Sequence, residues 1–222
     1  KVKVLTTKET KMQLQDASLH LTRAARTFGA DFVGNMKPLP DHAYEIVDVD
    51  KPISIDSTGD YKIMLLHTPG HTLDHVCPTL MKNGSAEFMF LGEAAGTLFH
   101  SSKLVTFGTS MPPEFNFDKY VHSLEKIIDK KPEMIGYCHF GVVKGREAVE
   151  EILKENHDFS YFFKDFVREN FLKHGRVRPV VEKFANEIAP KRTDWEAQEL
   201  LVNILVALIY GQLVDLGLKK PK

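Results

Sequence analysis

The chain has 222 residues, a formal net charge of −1 and 43% hydrophobic residues. This composition excludes a largely disordered chain, and the balanced charge excludes a general attraction to nucleic acid or to acidic membranes. Two cysteines are too few for a disulfide scaffold, the first residues turn polar without the apolar segment of a secretory signal, and no apolar run is long enough for a membrane span. We therefore expect a cytoplasmic protein with no membrane partner.

The first part of the chain predicts a strand, a helix and a loop. Val2–Thr6 alternates apolar and polar residues, as a half-buried strand does. Residues 8–28 have helical composition and end at Gly29. Residues 35–41 contain two prolines, which predicts a loop.

The middle of the chain predicts a mixed α/β region with several short strands. Four runs have clear strand character: Glu45–Val49, Ile53–Ile55, Lys62–His67 and Glu87–Leu91. His75–Met81 is a weaker candidate, because Pro78 removes a ladder hydrogen bond. Lys82–Ser85 contains Asn-Gly, which is typical of a turn between two strands. Phe117–Ile128 predicts an amphipathic helix, and Glu133–Cys138 predicts a short buried strand.

The pattern becomes helical after Gly145. Four segments carry helical spacing: Arg146–Glu155, Phe159–Leu172, Arg178–Ile188 and Trp195–Leu216. We therefore expect an α/β domain over residues 1–145 and a helical region over residues 146–222. The helical region is expected to pack on the α/β part or to form the surface of a homodimer.

Three predicted strands each lead into a side chain that can bind a metal. The first runs into Thr-Pro-Gly-His, residues 68–71, where proline stops the ladder and glycine permits an unusual turn. The second ends in glycine followed by Glu93, whose carboxylate is costly to bury unless it is paired or metal-bound. The third delivers His139 beside another glycine. Imidazole and carboxylate groups suit Zn, Fe or Mn, so three such ends in series predict a metal site.

These motifs, in this order, resemble the later motifs of metallo-β-lactamase-fold hydrolases. The shared pattern is Thr-Pro-Gly-His, then a strand ending in Gly-(Asp/Glu), then a strand ending in His-x-Gly. The stretch Met111–Asp118 and the helix after it also resemble the glyoxalase II-like branch. The resemblance covers about residues 1–155. It implies the α/β fold of that superfamily, an αββα sandwich, followed here by the helical region.

The resemblance also implies roles for the three side chains. His71 matches a ligand of the first metal, and His139 matches a ligand of the second metal. Glu93 stands where the family usually has an aspartate that bridges both metals. The cofactor is then a pair of divalent metals, zinc first, with iron or manganese as alternatives. A hydroxide held by the metals would attack a small-molecule ester, thioester, lactone or related substrate.

Two departures from the family pattern bear on activity. Glu93 is one methylene longer than aspartate, which can change the metal preference or spacing. The family's His-x-His-x-Asp-His motif, which supplies up to four ligands, does not occur in the 222 residues. We therefore expect a fold that is incomplete at its N-terminus, through truncation or natural shortening. Since a catalytic zinc needs three protein ligands and water, three residues cannot satisfy two metals.

Two other functions stay open on the sequence alone. The absent histidine motif favours a non-catalytic scaffold or interaction protein that acts through its helices. A diiron redox protein on the same fold is the second alternative. Proteins of that kind usually carry a flavin module, and the sequence shows no Gly-rich phosphate loop. Purified protein with a flavin or iron absorption band would support this alternative.

Each candidate residue also has an ordinary structural interpretation. His71 could cap a turn, Glu93 could be a salt-bridged carboxylate, and His139 could be a hydrogen-bonded core histidine. His75 either orients a ligand or begins a strand facing solvent. Both cysteines are most simply small buried apolar residues.

Overall fold

The computed structural model describes residues 2–100, 104–139, 141–192 and 199–221. The chain divides into two compact units, Lys1–Lys51 and Pro52–Lys222. In the described part of the chain, every helix is too short or too polar to cross a membrane.

The first unit contains a short parallel sheet and two helices. Its elements are β1 (Val4–Thr6), α1 (Lys8–Gln15), α2 (Ser18–Phe28) and β2 (Tyr44–Ile46). Strand β1 pairs in parallel with β2. The single helix predicted over residues 8–28 is two helices, because the backbone at Asp16 is extended. The Asp16 carboxylate accepts a hydrogen bond from the Ser18 N–H, which starts the second helix.

The second unit is built on a six-stranded sheet and a separate hairpin. Its strands are β3 (Ile53–Ser54), β4 (Tyr61–His67), β5 (Val76–Lys82), β6 (Ser85–Gly92), β7 (Thr97–His100), β8 (Leu104–Phe107), β9 (Met134–Tyr137) and β10 (Val142–Lys144). The sheet order is β10-β9-β6-β5-β4-β3, and β7 pairs with β8. Within the sheet, β6 and β9 are parallel and the other pairs are antiparallel. Strands β4, β6 and β9 therefore run in one direction.

Strand β5 lies inside the sheet although it contains a proline. Pro78 is paired with Leu65 of β4. On its other side, the described ladder with β6 begins one residue later, at Thr79. The described ladder with β6 thus begins directly after the residue that lacks an N–H, and the weak strand candidate at residues 75–81 corresponds to the seven-residue strand Val76–Lys82.

One face of the sheet is covered by helix α3 (Phe117–Asp129) and by the start of the helix after β10. Helix α3 begins after Asn116, whose side chain accepts a hydrogen bond from the Lys119 N–H. The buried side chains of this core include Met64, Leu66, Met89, Leu91, Leu124, Ile127, Ile135, Ile152 and Leu153. Burying each such side chain stabilises the fold by about 1.5–3 kcal/mol.

The C-terminal helices surround a second core in the same compact unit as the sheet. They are α4 (Arg146–His174), α5 (Val177–Lys183), a π-helical turn (Phe184–Ile188), α6 (Ala189–Arg192) and α7 (Glu199–Asp215). The ring of Phe184 contacts the rings of Phe159, Phe163 and Phe166 at centroid distances of 5.3 to 6.4 Å. The division into domains at residue 145 stays a prediction, and Trp195 lies outside the described residues.

Helix α4 corrects one expectation from the sequence. The separate helices predicted over residues 146–155 and 159–172 are a single helix of 29 residues. The polar residue at the expected break, Asn156, is buried. Its side chain accepts a hydrogen bond from the Tyr120 hydroxyl and donates one to the Thr106 hydroxyl. Tertiary partners therefore keep a buried polar residue inside the helix.

Candidate metal centre

The three predicted ligands lie at one edge of the sheet. His71 follows β4, Glu93 follows β6 and His139 follows β9. Because these strands run in the same direction, the chain leaves them at the same edge. The structure thus brings all three side chains together, whereas their assignment as metal ligands stays a prediction.

Glu93 lies between the two histidines. Its Oε2 atom is 2.6 Å from Nε2 of His71, and its Oε1 atom is 3.4 Å from Nε2 of His139. Each carboxylate oxygen therefore faces one imidazole, which is the arrangement that a bridging carboxylate requires. The additional methylene of glutamate does not prevent the carboxylate from reaching both rings.

Opposing effects set the charges of this pair. The His71 and Glu93 side chains are only 16% and 23% exposed. Burial by itself lowers the pKa of His71, but the hydrogen bond and negative charge of Glu93 outweigh it and raise that pKa. Burial likewise works to raise the pKa of Glu93, but the hydrogen bond and charge of His71, with the charge of His139, lower it. Each group therefore favours the charged form of the other.

Thr109 supports both buried members of the site. Its carbonyl oxygen accepts a hydrogen bond from Nδ1 of His71 at 2.7 Å, and its hydroxyl donates to the Glu93 carbonyl at 2.7 Å. The first bond keeps a proton on Nδ1, so Nε2 is the nitrogen directed into the site. Sequence reasoning missed this residue, because it lies 38 positions after His71 and no local pattern connects them.

His75 orients the Glu93 backbone and is not directed at a ligand position. Its Nε2 accepts a hydrogen bond from the Glu93 N–H at 3.4 Å, and its Nδ1 lies 2.8 Å from the Thr68 hydroxyl. Burial, and then the charge of His71, lower the pKa of His75 to about 4, so the ring is neutral and can accept. Only glycine fits next to this ring, since a Cβ at Gly92, where φ is +54°, would lie 2.7 Å from Nε2.

Cys138 contributes a third type of donor at this edge. The sequence predicts that both cysteines are buried. This prediction is confirmed for Cys77 and wrong for Cys138, which is exposed because β9 ends one residue before it. The ligand atoms of Glu93, Cys138 and His139 all lie within 4.8 Å of one another. Nitrogen, oxygen and sulfur donors at such separations fit a divalent metal of the zinc type.

Two curated proteins are similar to the chain in sequence. It is 31% identical over 114 residues to the metallo-β-lactamase fold-containing protein ST1585 of Sulfurisphaera tokodaii, a match that covers 49% of this chain and 40% of that protein. It is 33% identical over 88 residues to the β-lactamase-like protein 2 homolog of Drosophila melanogaster, covering 40% of this chain and 25% of that protein. The matched region thus spans less than half the length of these relatives. No protein-family model matches the chain.

Solved structures share its fold. The structure of ST1585, described as an archaeal metallo-β-lactamase superfamily protein, matches 98% of this chain and 71% of its own chain, with a TM-score of 0.60 and 21% identity. The metallo-β-lactamase family protein TTHA1429 of Thermus thermophilus matches 97% of this chain and 66% of its own, with a TM-score of 0.55 and 12% identity. The predicted α/β fold is confirmed. The chain has the metallo-β-lactamase fold.

Proposed function

We propose that this chain carries a metal site of a metal-dependent hydrolase that cleaves a small ester, thioester, lactone or related bond. The observation that supports this function best is the position of Glu93, whose two oxygens lie 2.6 Å and 3.4 Å from the histidine nitrogens. His71, Glu93 and His139 would hold divalent metal, with zinc favoured by the donor set and iron or manganese as alternatives. A bound metal supplies Lewis-acid polarisation of the scissile group and makes water more acidic.

The residues of the chain position the donors and leave the site open. The Thr109 carbonyl fixes the orientation of the His71 ring, while the Thr109 hydroxyl and His75 hold the Glu93 backbone. His139 has 52% of its side chain exposed, so the site is accessible from solvent on that side. A catalytic metal site needs such an open position for substrate, whereas a purely structural one is closed.

Metal analysis combined with hydrolysis assays tests this function. We expect the purified chain to retain zinc after dialysis, and we expect alanine at His71 or His139, or glutamine at Glu93, to reduce the bound metal strongly. His122→Ala is the matched control, since that side chain is 73% exposed on α3. A metal content near zero, together with no hydrolysis of simple esters, thioesters and lactones, would rule out the proposed enzyme.

A non-catalytic interaction protein is the second candidate. Exposed apolar side chains on the C-terminal helices favour it. The C-terminal helices carry large exposed apolar side chains that a homodimer could cover, namely Tyr161, Phe162, Leu172 and Val206. A folded, metal-free dimer in analytical ultracentrifugation, with polar substitutions on these helices giving monomers, would support this candidate.

A further inference from the structure

We infer that Cys138 is also a ligand, so that Glu93, Cys138 and His139 form a three-donor site for one thiophilic divalent cation such as zinc. This inference rests on the proposed function, because it takes the end of β6 and β9 as the place where metal binds. It adds a donor to the three side chains from which the site was predicted.

The parallel pairing of β6 and β9 places the thiol next to the carboxylate. Gly92 and Tyr137 are partners in this ladder, so the next residues along the two strands are Glu93 and Cys138. The Cys138 N–H and its thiol both donate to the Gly92 carbonyl, at 3.5 Å and 3.2 Å. The thiol is therefore held at the end of β6, directly before the residue that carries the carboxylate.

Two consecutive residues can both be donors because β9 has already ended. On a regular strand, Cys138 and His139 would point to opposite faces. Here β9 ends at Tyr137 and the chain bends, so the donor atoms of both residues lie within 4.8 Å of each other and of Glu93. Two ligands of a tetrahedral zinc lie about 3.3–3.7 Å apart, given the usual bond lengths. The His139–Glu93 pair is already at 3.4 Å, so small rotations of the side chains complete the site.

The additional thiolate gives one cation three protein donors. Three protein donors and one open position are the set that a catalytic zinc uses. With Cys138 included, one cation has that set, while His71 stays on the other oxygen of Glu93. On binding, the Sγ–H bond breaks, an Sγ–metal bond forms and the proton passes to the buffer. Sulfur also directs selectivity to Zn²⁺, Co²⁺ and Cd²⁺ over Mg²⁺, Ca²⁺ and Mn²⁺.

Titration of the purified chain with Co²⁺ tests this inference. We expect visible d–d bands of tetrahedral cobalt together with a near-ultraviolet thiolate-to-cobalt charge-transfer band. Cys138→Ser should abolish the charge-transfer band. It should also weaken cobalt binding by more than about tenfold, because removing a residue that only supports a metal ligand already weakens binding by about that much. Cys77→Ala is the matched control and should keep the band, because the Cys77 thiol is 0% exposed.

The outcomes separate the two proposals. Cobalt binding without the charge-transfer band, or with the band retained in Cys138→Ser, overturns the role of Cys138 and leaves the proposed function standing. A chain that binds no cobalt at all overturns both. A second measurement needs no variant: Cd²⁺ should slow the alkylation of Cys138 by iodoacetamide by about tenfold or more, since a metal-bound sulfur is a poor nucleophile. An unchanged alkylation rate in saturating Cd²⁺ overturns the inference.

Discussion

Gly211 of α7 packs against the backbone of Ser110, so closely that a Cβ atom at position 211 would lie 1.8 Å from the Ser110 carbonyl oxygen. The Ser110 hydroxyl also donates a hydrogen bond to the Leu208 carbonyl of α7 at 2.9 Å. Ser110 directly follows Thr109, the residue that holds His71 and the Glu93 backbone. Helix α7 therefore supports the loop that positions two members of the candidate site.

Alanine at Gly211 is expected to lower the free energy of unfolding by about 1–3 kcal/mol, the usual effect of overpacking. Alanine favours a helix over glycine by about 1 kcal/mol, so helix propensity alone would raise the stability. A net loss of stability would therefore identify the contact with Ser110 as its cause. Urea denaturation measures the change. Gly108→Ala is the control from the same region, because nothing lies within 4 Å of a Cβ there. Equal stability of the two variants would contradict the prediction.

Valine at Thr109 is expected to weaken zinc binding by about tenfold, because it removes the hydroxyl that holds the Glu93 backbone. Thr79→Val is its matched control. Thr79 is equally buried, and its hydroxyl donates to the Cys77 carbonyl at 3.1 Å, away from the site. Both variants should lose about 1 kcal/mol of stability with the hydrogen bond. Isothermal titration with zinc distinguishes them, and equal zinc affinities would show that Thr109 does not position the site.

Alanine at Arg192 is expected to lower the free energy of unfolding by about 1–3 kcal/mol. Its guanidinium donates to Glu155 of α4 and to the Thr106 carbonyl of β8, and it lies 3.6 Å from the centroid of the Phe159 ring. The substitution removes a partly buried positive charge that lies against both α4 and β8. Arg178→Ala is the control, since that side chain is 88% exposed and pairs with Glu182 within α5. Thermal unfolding curves that shift equally for both variants would refute the prediction.

Asparagine at Asp215 is expected to stabilise the protein at neutral pH but not in acid. Burial raises the pKa of Asp215, although its hydrogen bond from the Phe117 N–H and the charge of Lys164 oppose the shift. The folded state therefore favours the protonated carboxyl. Its stabilisation is fully present below the unfolded pKa of about 3.9 and is lost as pH rises through the higher folded pKa. Asparagine keeps the acceptor oxygen and does not titrate.

The gain from Asp215→Asn should stay below about 1 kcal/mol, because the carboxyl is partly exposed to solvent. Urea denaturation of both proteins from about pH 3.5 to pH 7 measures it, since this range spans the ordinary carboxyl pKa. The two stability curves should converge at the acid end. A constant difference at every pH would argue against titration of Asp215 as the cause.

The sequence predicts the strand ends of the site well, because each is marked locally. His71, Glu93 and His139 all follow apolar runs interrupted by glycine or proline, and such signals need no knowledge of distant residues. The strands β7, β8 and β10 were not predicted. They contain three or four residues each and lie outside the strand-like runs read from the sequence.

Other features depend on contacts between distant parts of the chain. Helix α4 is continuous because Asn156 has partners in α3 and β8, 36 and 50 residues away. The neutral state of His75 depends on its burial in the folded protein. A short stretch of sequence reveals neither the hydrogen bonds to distant residues nor the burial of a side chain. The hydrogen bonds of Thr109 and the exposure of Cys138 are equally hidden from the sequence, because both depend on where the strands end in the folded protein.

The two hydrogen bonds of Thr109 fix the relative position of two residues of the proposed metal site. Because both bonds belong to one residue, the His71 ring and the Glu93 backbone move as a unit unless a 2.7 Å bond breaks. The freedom of His71 and Glu93 to move relative to each other is therefore lost during folding. Binding of an ion at the proposed site would then cost less conformational entropy. At the proposed metal site, a preorganised pair of donors of this kind would discriminate between cations by radius, and loosening the loop at residues 108–111 would weaken that discrimination.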